Sequence, residues 1–200
     1  WAGQWSKALN QLNACLPLLQ EYGFRWDVVY GSLGIAIAHL CLGDAPAAAA
    51  LLRGTLEGSR QNNYGREEAF SLTGLGWTAL AQDQPAQALP LFEESVSLYR
   101  SMQYTGELGT ALGGAALAYR SLGQSEQASG ALLEALAIAE KNHSLFTMLL
   151  GCPAAILMLV DAGEAAFARE VHQAALGVPI FANSVSFTHL IEQQAAPHWA

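Results

Sequence analysis

Residues 122–135 read LGQSEQASGALLEA, and this pattern of small and apolar residues recurs at a step of forty along the chain. The glycine recurs with one replacement by aspartate, at Gly3, Gly43, Asp83, Gly123 and Gly163. Five residues later an alanine recurs without interruption, at Ala8, Ala48, Ala88, Ala128 and Ala168. A fixed step held along a whole chain is typical of an array of structural repeats.

The apolar positions after each alanine keep the same step. They are Leu12, Leu52, Phe92 and Leu132, with His172 in the fifth place, and then Leu16, Leu56, Val96, Leu136 and Leu176. Their offset of four places them on one face of an α-helix. A second helical segment lies between these stripes and carries a small residue in each unit, at Gly34, Gly74, Gly114 and Ala154. Each unit is therefore predicted to be a hairpin of two helices.

The expected helices span 5–22, 26–42, 46–61, 66–82, 85–103, 107–122, 125–141, 145–161, 164–177 and about 184–194. No run of strand length alternates between apolar and polar residues, so no sheet is expected. A two-helix hairpin cannot bury both of its faces alone and must stack on its neighbours. The chain is therefore predicted to be an all-α solenoid.

The pattern resembles the tetratricopeptide-repeat family. The second-helix half of that motif is similar to Leu122, Gly123, Ala128, Leu132 and Ala135, and its first-helix half to Ala116 and Tyr119. The forty-residue step, longer than the family's usual unit, resembles the carboxy-terminal arrays of bacterial multidomain signal-transduction ATPases and regulators. The resemblance implies a right-handed solenoid of antiparallel hairpins in a single domain, 1–200. Its parts would be a half repeat at 1–25, repeats at 26–65, 66–105, 106–145 and 146–180, and a capping helix within 181–200.

The chain begins with Trp1 instead of methionine, which favours a fragment of a longer protein. An apolar stripe on the first helix would then need a preceding helix to cover it: Trp1, Trp5, Ala8, Leu12, Leu16 and Leu19. We expect this N-terminal end face to meet a neighbouring domain of the parent chain, or a second copy in a homodimer.

Composition excludes several partners. Nine Lys plus Arg against seventeen Asp plus Glu give a net charge of −8, which repels nucleic acid. Three widely separated cysteines indicate neither a disulfide framework nor a zinc site, and fit a cytoplasmic protein. The uncharged stretch 144–160 is interrupted by Gly151 and Pro153 and is short for a membrane span, so it is predicted to be a buried helix.

No catalytic or cofactor site is predicted. The five histidines show no helical spacing for a metal, and His172 in its apolar stripe is expected to be buried and hydrogen-bonded. The pairs at 67–68 and 93–94 are adjacent glutamates, which point in different directions on a helix and are expected to be solvated. The glycines at 31–34 and 113–114 lack the Lys-Ser or Lys-Thr of a phosphate loop and are interpreted as close helix packing. The chain is therefore predicted not to be an enzyme, with no cofactor.

In the family that this sequence resembles, the first helix of each hairpin lines the concave face, where ligands bind. The resemblance therefore implies binding residues at Tyr30, Leu33, Ile37, Phe70, Thr73, Trp77, Thr110, Leu117, Arg120 and Leu157. Further positions on the same face are Gly34, Leu40, Cys41, Gly74, Leu80, Ala81, Gly113, Gly114, Ser121, Leu150, Pro153, Ala154, Val160 and Asp161. Such an apolar wall favours a protein segment or a small apolar ligand. The sequence equally allows these side chains to pack on each other or on the tail, 178–200.

The leading hypothesis is a non-enzymatic protein-interaction or ligand-sensing module, acting as the regulatory domain of a larger signalling protein. The alternative is a structural scaffold or oligomerisation module with no ligand in its groove.

Overall fold

The computed structural model describes residues 4–23 and 25–199, with the backbone alone at 25, 26, 145, 146, 148 and 149. This part of the chain is helical and contains no strand. The helices are α1 Trp5–Glu21, α2 Arg25–Cys41, α3 Ala45–Gln61, α4 Gly65–Ala81, α5 Pro85–Ser101, α6 Leu108–Ser121, α7 Ser125–Lys141, α8 Leu145–Asp161, α9 Ala165–Leu176, α10 Pro179–Ala182 and α11 Val185–Gln194, followed by a 3₁₀ turn at Ala196–His198. The all-α solenoid is confirmed, and the expected helix ends agree with the observed ones within two residues. Only the short α10 and the closing turn were not expected.

Consecutive helices pack against each other along the whole array. The even-numbered helices α2, α4, α6 and α8 also contact their even-numbered neighbours and form the inner layer, whereas α1, α3, α5, α7 and α9 form the outer layer. The inner layer is concave, and it supplies most of the site described below.

The recurring glycine ends each inner helix. The backbone is left-handed there, with φ of 84° at Gly43, 55° at Asp83, 74° at Gly123 and 83° at Gly163. The next amide then turns back onto the helix, as where Asp44 N–H donates to the His39 carbonyl at 2.8 Å. Glycine is favoured because it has no Cβ to resist a positive φ. Gly3, the first member of the series, lies outside the described residues.

The recurring alanines are the most deeply buried positions of the outer helices. Ala8, Ala48, Ala88, Ala128 and Ala168 are all at most 1% exposed. Four residues later, a large side chain enters the space left by a small residue on the next inner helix. A Cβ placed on Gly34 would lie 3.1 Å from Leu12 Cδ1, one on Gly74 2.9 Å from Leu52, and one on Gly114 2.3 Å from Phe92. In each of these repeats the outer helix thus supplies a large side chain, and the glycine of the inner helix leaves the space for it.

The apolar stripe of α1 is covered only in part. Trp5 and Ala8 are buried, so the prediction that they need a preceding helix to cover them is wrong. Leu12 and Leu16 contact α2 at Gly34 and Gly31, but these two leucines and Leu19 are only half-buried. Trp1 lies outside the described residues.

The apolar stretch 144–160 forms α8, and its described core residues Ala154, Ile156 and Leu157 are buried. None of the described helices is both long and apolar enough to span a membrane. The glycines that resembled a phosphate loop lie in helix contacts, as the sequence predicted. The nearest neighbour of a Cβ on Gly113 would be the backbone of Gly151 in α8, at 3.2 Å.

Candidate functional site

The C-terminal segment crosses the concave face. The array curves so far that α11, which follows the last outer helix, packs against both α8 and α2. Ser186 Oγ donates a hydrogen bond to the Leu40 carbonyl, 146 residues earlier. Val185 lies over the end of α2, with its Cγ1 3.3 Å from where a Cβ of Gly43 would be. The tail, 178–199, therefore covers the inner helices.

Between the inner helices and the tail lies a cavity of about 700 Å³, here called the chamber. The inner helices contribute Ile37, Leu40, Cys41, Phe70, Thr73, Gly74, Trp77, Leu80, Ala81, Thr110, Leu117, Ser121, Leu150 and Pro153. The tail contributes Ile180, Phe181, Ser184, Val185, Ser186, Phe187, His189, Leu190, Gln193 and Gln194, and the rest of the lining is Trp5, Gly43, Ala45, Asp83, Pro85, Tyr99 and Glu107. The lining residues of α4 run from Phe70 to Ala81, which is about 16 Å at the helical rise.

Six of the ten binding residues expected from the sequence line the chamber: Ile37, Phe70, Thr73, Trp77, Thr110 and Leu117. Leu33 and Leu157 do not line it and are buried in the core, at 2% and 0% exposure. Tyr30 and Arg120 lie outside the lining and make the side-chain contacts described below. Eight of the further concave-face positions also line the chamber: Leu40, Cys41, Gly74, Leu80, Ala81, Ser121, Leu150 and Pro153.

Sequence reasoning did not assign the tail's lining residues individually, because the tail lies outside the forty-residue step. It also missed Tyr99 and Glu107, which precede α6 and belong to no concave series. The aromatic residues Phe181 and Phe187 were the available signal, since they are apolar and too closely spaced for a solvated tail; their rings lie 4.4 Å apart.

One end of the chamber is polar and is formed by Tyr99, Glu107 and Thr110, here called the polar recess. The hydroxyl oxygens of Tyr99 and Thr110 are buried and have no hydrogen-bond partner, and neither has Glu107 Oε2. Burial, followed by the nearby Glu107 carboxylate, raises the pKa of Tyr99. Thr73 lies beside the Tyr99 hydroxyl and partly offsets this rise in pKa. The Thr73 hydroxyl makes its hydrogen bonds of ordinary geometry with Ser95 and with the Ala69 carbonyl. The recess therefore holds unused hydrogen-bonding capacity.

Behind the recess, Arg66 is held between two aromatic rings. Its guanidinium carbon lies 5.3 Å from the ring centroid of Tyr30 and 4.4 Å from that of Tyr104, both within cation–π range. Its Nη2 donates to Glu107 Oε1 over a long 3.5 Å. Burial and the adjacent Glu107 raise the pKa of Tyr104 to about 12, so this phenol stays neutral. Tyr30 thus helps to hold Arg66 and does not face the chamber.

Glu67 overturns the expectation that the glutamate pairs are solvated. It is 2% exposed, and neither of its carboxylate oxygens has a hydrogen-bond partner. Burial raises the pKa of Glu67. The other three glutamates do reach the surface: Glu68 and Glu94 both pair with Arg60, and Glu93 accepts from Tyr119.

The Cys41 thiol in the chamber lining is a poor nucleophile and metal ligand. Burial raises the pKa of the Cys41 thiol to about 11, so the thiol is protonated at neutral pH. The described residues contain no group of three histidine, cysteine or acidic side chains placed to hold a metal ion. His172 is buried, as expected, and stacks on Trp199 at 4.8 Å between ring centroids. The expected hydrogen bond is not made at its Nδ1, which has no partner.

Comparison with known proteins supports the architecture. Residues 29–101 match a family model described as tetratricopeptide repeat. No curated protein sequence matches the chain. The crystal structure of BtubC (BKLC) from P. vanneervenii is similar with a TM-score of 0.63, over 98% of this chain and 85% of that chain, at 12% identity. At that identity the likeness shows the fold alone, and the family match supports tetratricopeptide repeats over residues 29–101.

Proposed function

We propose that this tetratricopeptide-like array is a non-enzymatic recognition module that binds a small apolar ligand in the chamber. The observation that carries the proposal is the chamber itself, a partly open cavity of about 700 Å³ between four inner helices and the tail. Small-molecule sites in proteins commonly have volumes of about 300–1,000 Å³ and mostly apolar walls. The walls here include Trp77, Leu80, Leu117 and Ile180, which fit an apolar guest.

A protein helix is at least about 10 Å wide, and to bind the concave face it would have to displace the tail, which lies there. This is the second candidate function, since tetratricopeptide repeats generally mediate protein–protein interaction. It is favoured by the tail, which is itself a helical segment docked on the concave face.

We further propose that the module is a regulatory domain of a larger cytoplasmic signalling protein, organised as the half repeat, four repeats and cap given above. The forty-residue step and its resemblance to the arrays of signal-transduction ATPases support this context. In it, ligand binding in the chamber would change how tightly the tail is held.

Isothermal titration calorimetry with 1-octanol, a neutral apolar probe, tests the proposal. We expect saturable binding to the wild-type protein and at least tenfold weaker binding to the variant Leu80→Trp, because the larger side chain occupies space beside Trp77 that the ligand needs. The matched control is Leu133→Trp on α7, where the leucine is 67% exposed and remote from the lining. This control should bind as the wild type does.

Circular dichroism establishes that both variants fold before titration. Absence of binding to the wild type, or equal binding to both variants, would contradict a ligand chamber and favour the structural scaffold. Binding of a helical peptide that is blocked by cross-linking the tail to α2 would support the protein-segment candidate instead.

A further inference from the structure

The charged side chains that line the chamber are acidic. Its lining contains two acidic side chains, Asp83 and Glu107, and the second of these is paired with Arg66 at 3.5 Å. No lysine or arginine is present among the described residues that line it. The chain as a whole carries a net charge of −8, which adds to the negative potential around the chamber. A ligand with a negatively charged group would be repelled, whereas a cation would be attracted.

The polar recess supplies the acceptors that a cation requires. Arg66 contacts Glu107 Oε1 at 3.5 Å and the Tyr104 hydroxyl lies beside the carboxylate, while Glu107 Oε2 makes no hydrogen bond of ordinary geometry. The Tyr99 and Thr110 hydroxyl oxygens are also unpartnered, and these two residues are 0% and 5% exposed. Buried polar groups without partners are unfavourable, so a ligand that donates hydrogen bonds to them would stabilise the site.

Arg66 does not donate hydrogen bonds to the unpartnered oxygens of the polar recess, because its guanidinium is held elsewhere. Two tyrosine rings hold its guanidinium, and Arg66 is not part of the lining. Glu107 therefore both contacts Arg66 through Oε1 and contributes to the chamber lining.

The opposite part of the chamber is apolar. Trp77, Leu117 and Ile180 line it, and the lining runs about 16 Å along α4. A matching ligand is elongated, with a hydrocarbon or aromatic body and one positively charged end.

Resting on the proposed function, we propose that the ligand is a small amphiphilic amine whose ammonium group binds Glu107, Tyr99 and Thr110 while its apolar body lies against Trp77 and Leu117. The ammonium group donates its hydrogen bonds to the Glu107 carboxylate and to the two hydroxyl oxygens. No bond is made or broken in this binding.

Calorimetry at pH 7 with three probes of equal chain length tests the inference: octylammonium, 1-octanol and octanoate. We expect octylammonium to bind at least tenfold more tightly than 1-octanol, and octanoate to bind most weakly. In the variant Glu107→Gln the preference for octylammonium over 1-octanol should fall to less than threefold. Glu126→Gln, which removes an exposed carboxylate on α7, is the matched control and should keep the full preference.

Thr110→Val gives a second variant in which only a hydroxyl is replaced by a methyl group, and it should weaken octylammonium more than 1-octanol. If Glu107→Gln fails to fold, the order of the three probes on the wild type still decides the matter. Equal affinity for the amine and the alcohol would overturn the amine inference alone. Absence of binding by all three probes, or binding that Leu80→Trp does not weaken, would overturn the proposed function as well.

Discussion

Arg120 on α6 binds Gln194 on α11, with Nη1 donating to Gln194 Oε1 at 2.8 Å across 74 residues of sequence. The same guanidinium donates two further hydrogen bonds, at 2.6 and 2.8 Å, to the two carboxylate oxygens of Asp161 on α8. This fork fixes the guanidinium plane, so that one side chain ties the end of the tail to two inner helices. Arg120, which the sequence suggested as a ligand contact, is therefore placed to hold the tail.

Replacing Arg120 with alanine should loosen the tail. Loss of the charge-assisted hydrogen bonds, partly offset by solvent, should lower the free energy of unfolding by about 1–2 kcal/mol. We expect amide hydrogen exchange within 185–199 to accelerate more than exchange elsewhere. Arg100→Ala is the control, because Arg100 pairs with Glu134 on the outer surface. If amide exchange accelerated equally along the chain in both variants, the conclusion that Arg120 specifically holds the tail would be wrong.

Two glycines with opposite surroundings should respond oppositely to alanine. A Cβ on Gly113 would meet the Gly151 backbone at 3.2–3.3 Å, so α6 and α8 would have to separate. We expect Gly113→Ala to destabilise the protein by about 1–3 kcal/mol. Gly130 lies within α7 with nothing within 4 Å of its Cβ position, and Gly130→Ala should stabilise by up to about 1 kcal/mol through helix propensity. Urea unfolding monitored by circular dichroism measures both; equal effects would contradict the close α6–α8 approach.

The stability of the protein should fall as the pH drops below about 6.5. Burial lowers the pKa of His172 in the folded state, so the folded protein binds the proton less readily than the unfolded chain. The stabilisation is thus fully present above the unfolded pKa of about 6.5 and is lost as the pH falls through the folded value. His172→Leu, which restores the residue type of most other repeats, should flatten this dependence in thermal unfolding between pH 7 and 5. The exposed control His143→Asn should leave the slope unchanged.

Removing the charge of Glu67 should stabilise the folded state at neutral pH. Burial raises the pKa of this carboxyl, so its contribution is most favourable below the unfolded pKa of about 4.3 and is lost as the pH rises through the folded value. We expect Glu67→Gln to raise the unfolding free energy by about 1 kcal/mol at pH 7, and by less near pH 4. Glu170→Gln, an exposed carboxylate on α9, provides the comparison. A variant less stable than the wild type at pH 7 would show that Glu67 has a compensating partner.

Much of the architecture follows from short-range patterns. The left-handed cap at Gly43, the buried Ala48 and the insertion of Leu52 beside Gly74 each depend on a fixed spacing within one hairpin or between neighbours. Helical periodicity encodes such spacings directly, so the helices, their ends and the solenoid could be predicted.

The site could be predicted only in part. The concave series gave Phe70, Trp77 and Leu117 because the faces of the inner helices follow from the repeat. Leu33 and Leu157 belong to the same series but are packed in the core, because the series does not show how closely neighbouring helices approach.

The amino-acid sequence alone determined the repeating hairpins of this protein, because their contacts join residues four or about twenty-two positions apart and leave a periodic trace. Tertiary structure alone decided that the tail closes the chamber, that Glu67 is buried and that Glu107 faces an apolar cavity. Those arrangements depend on the curvature summed over all the hairpins, which brings Ser186 to Leu40 across 146 residues. Curvature of this kind accumulates from small packing differences at each interface, and no local pattern of residues records its total.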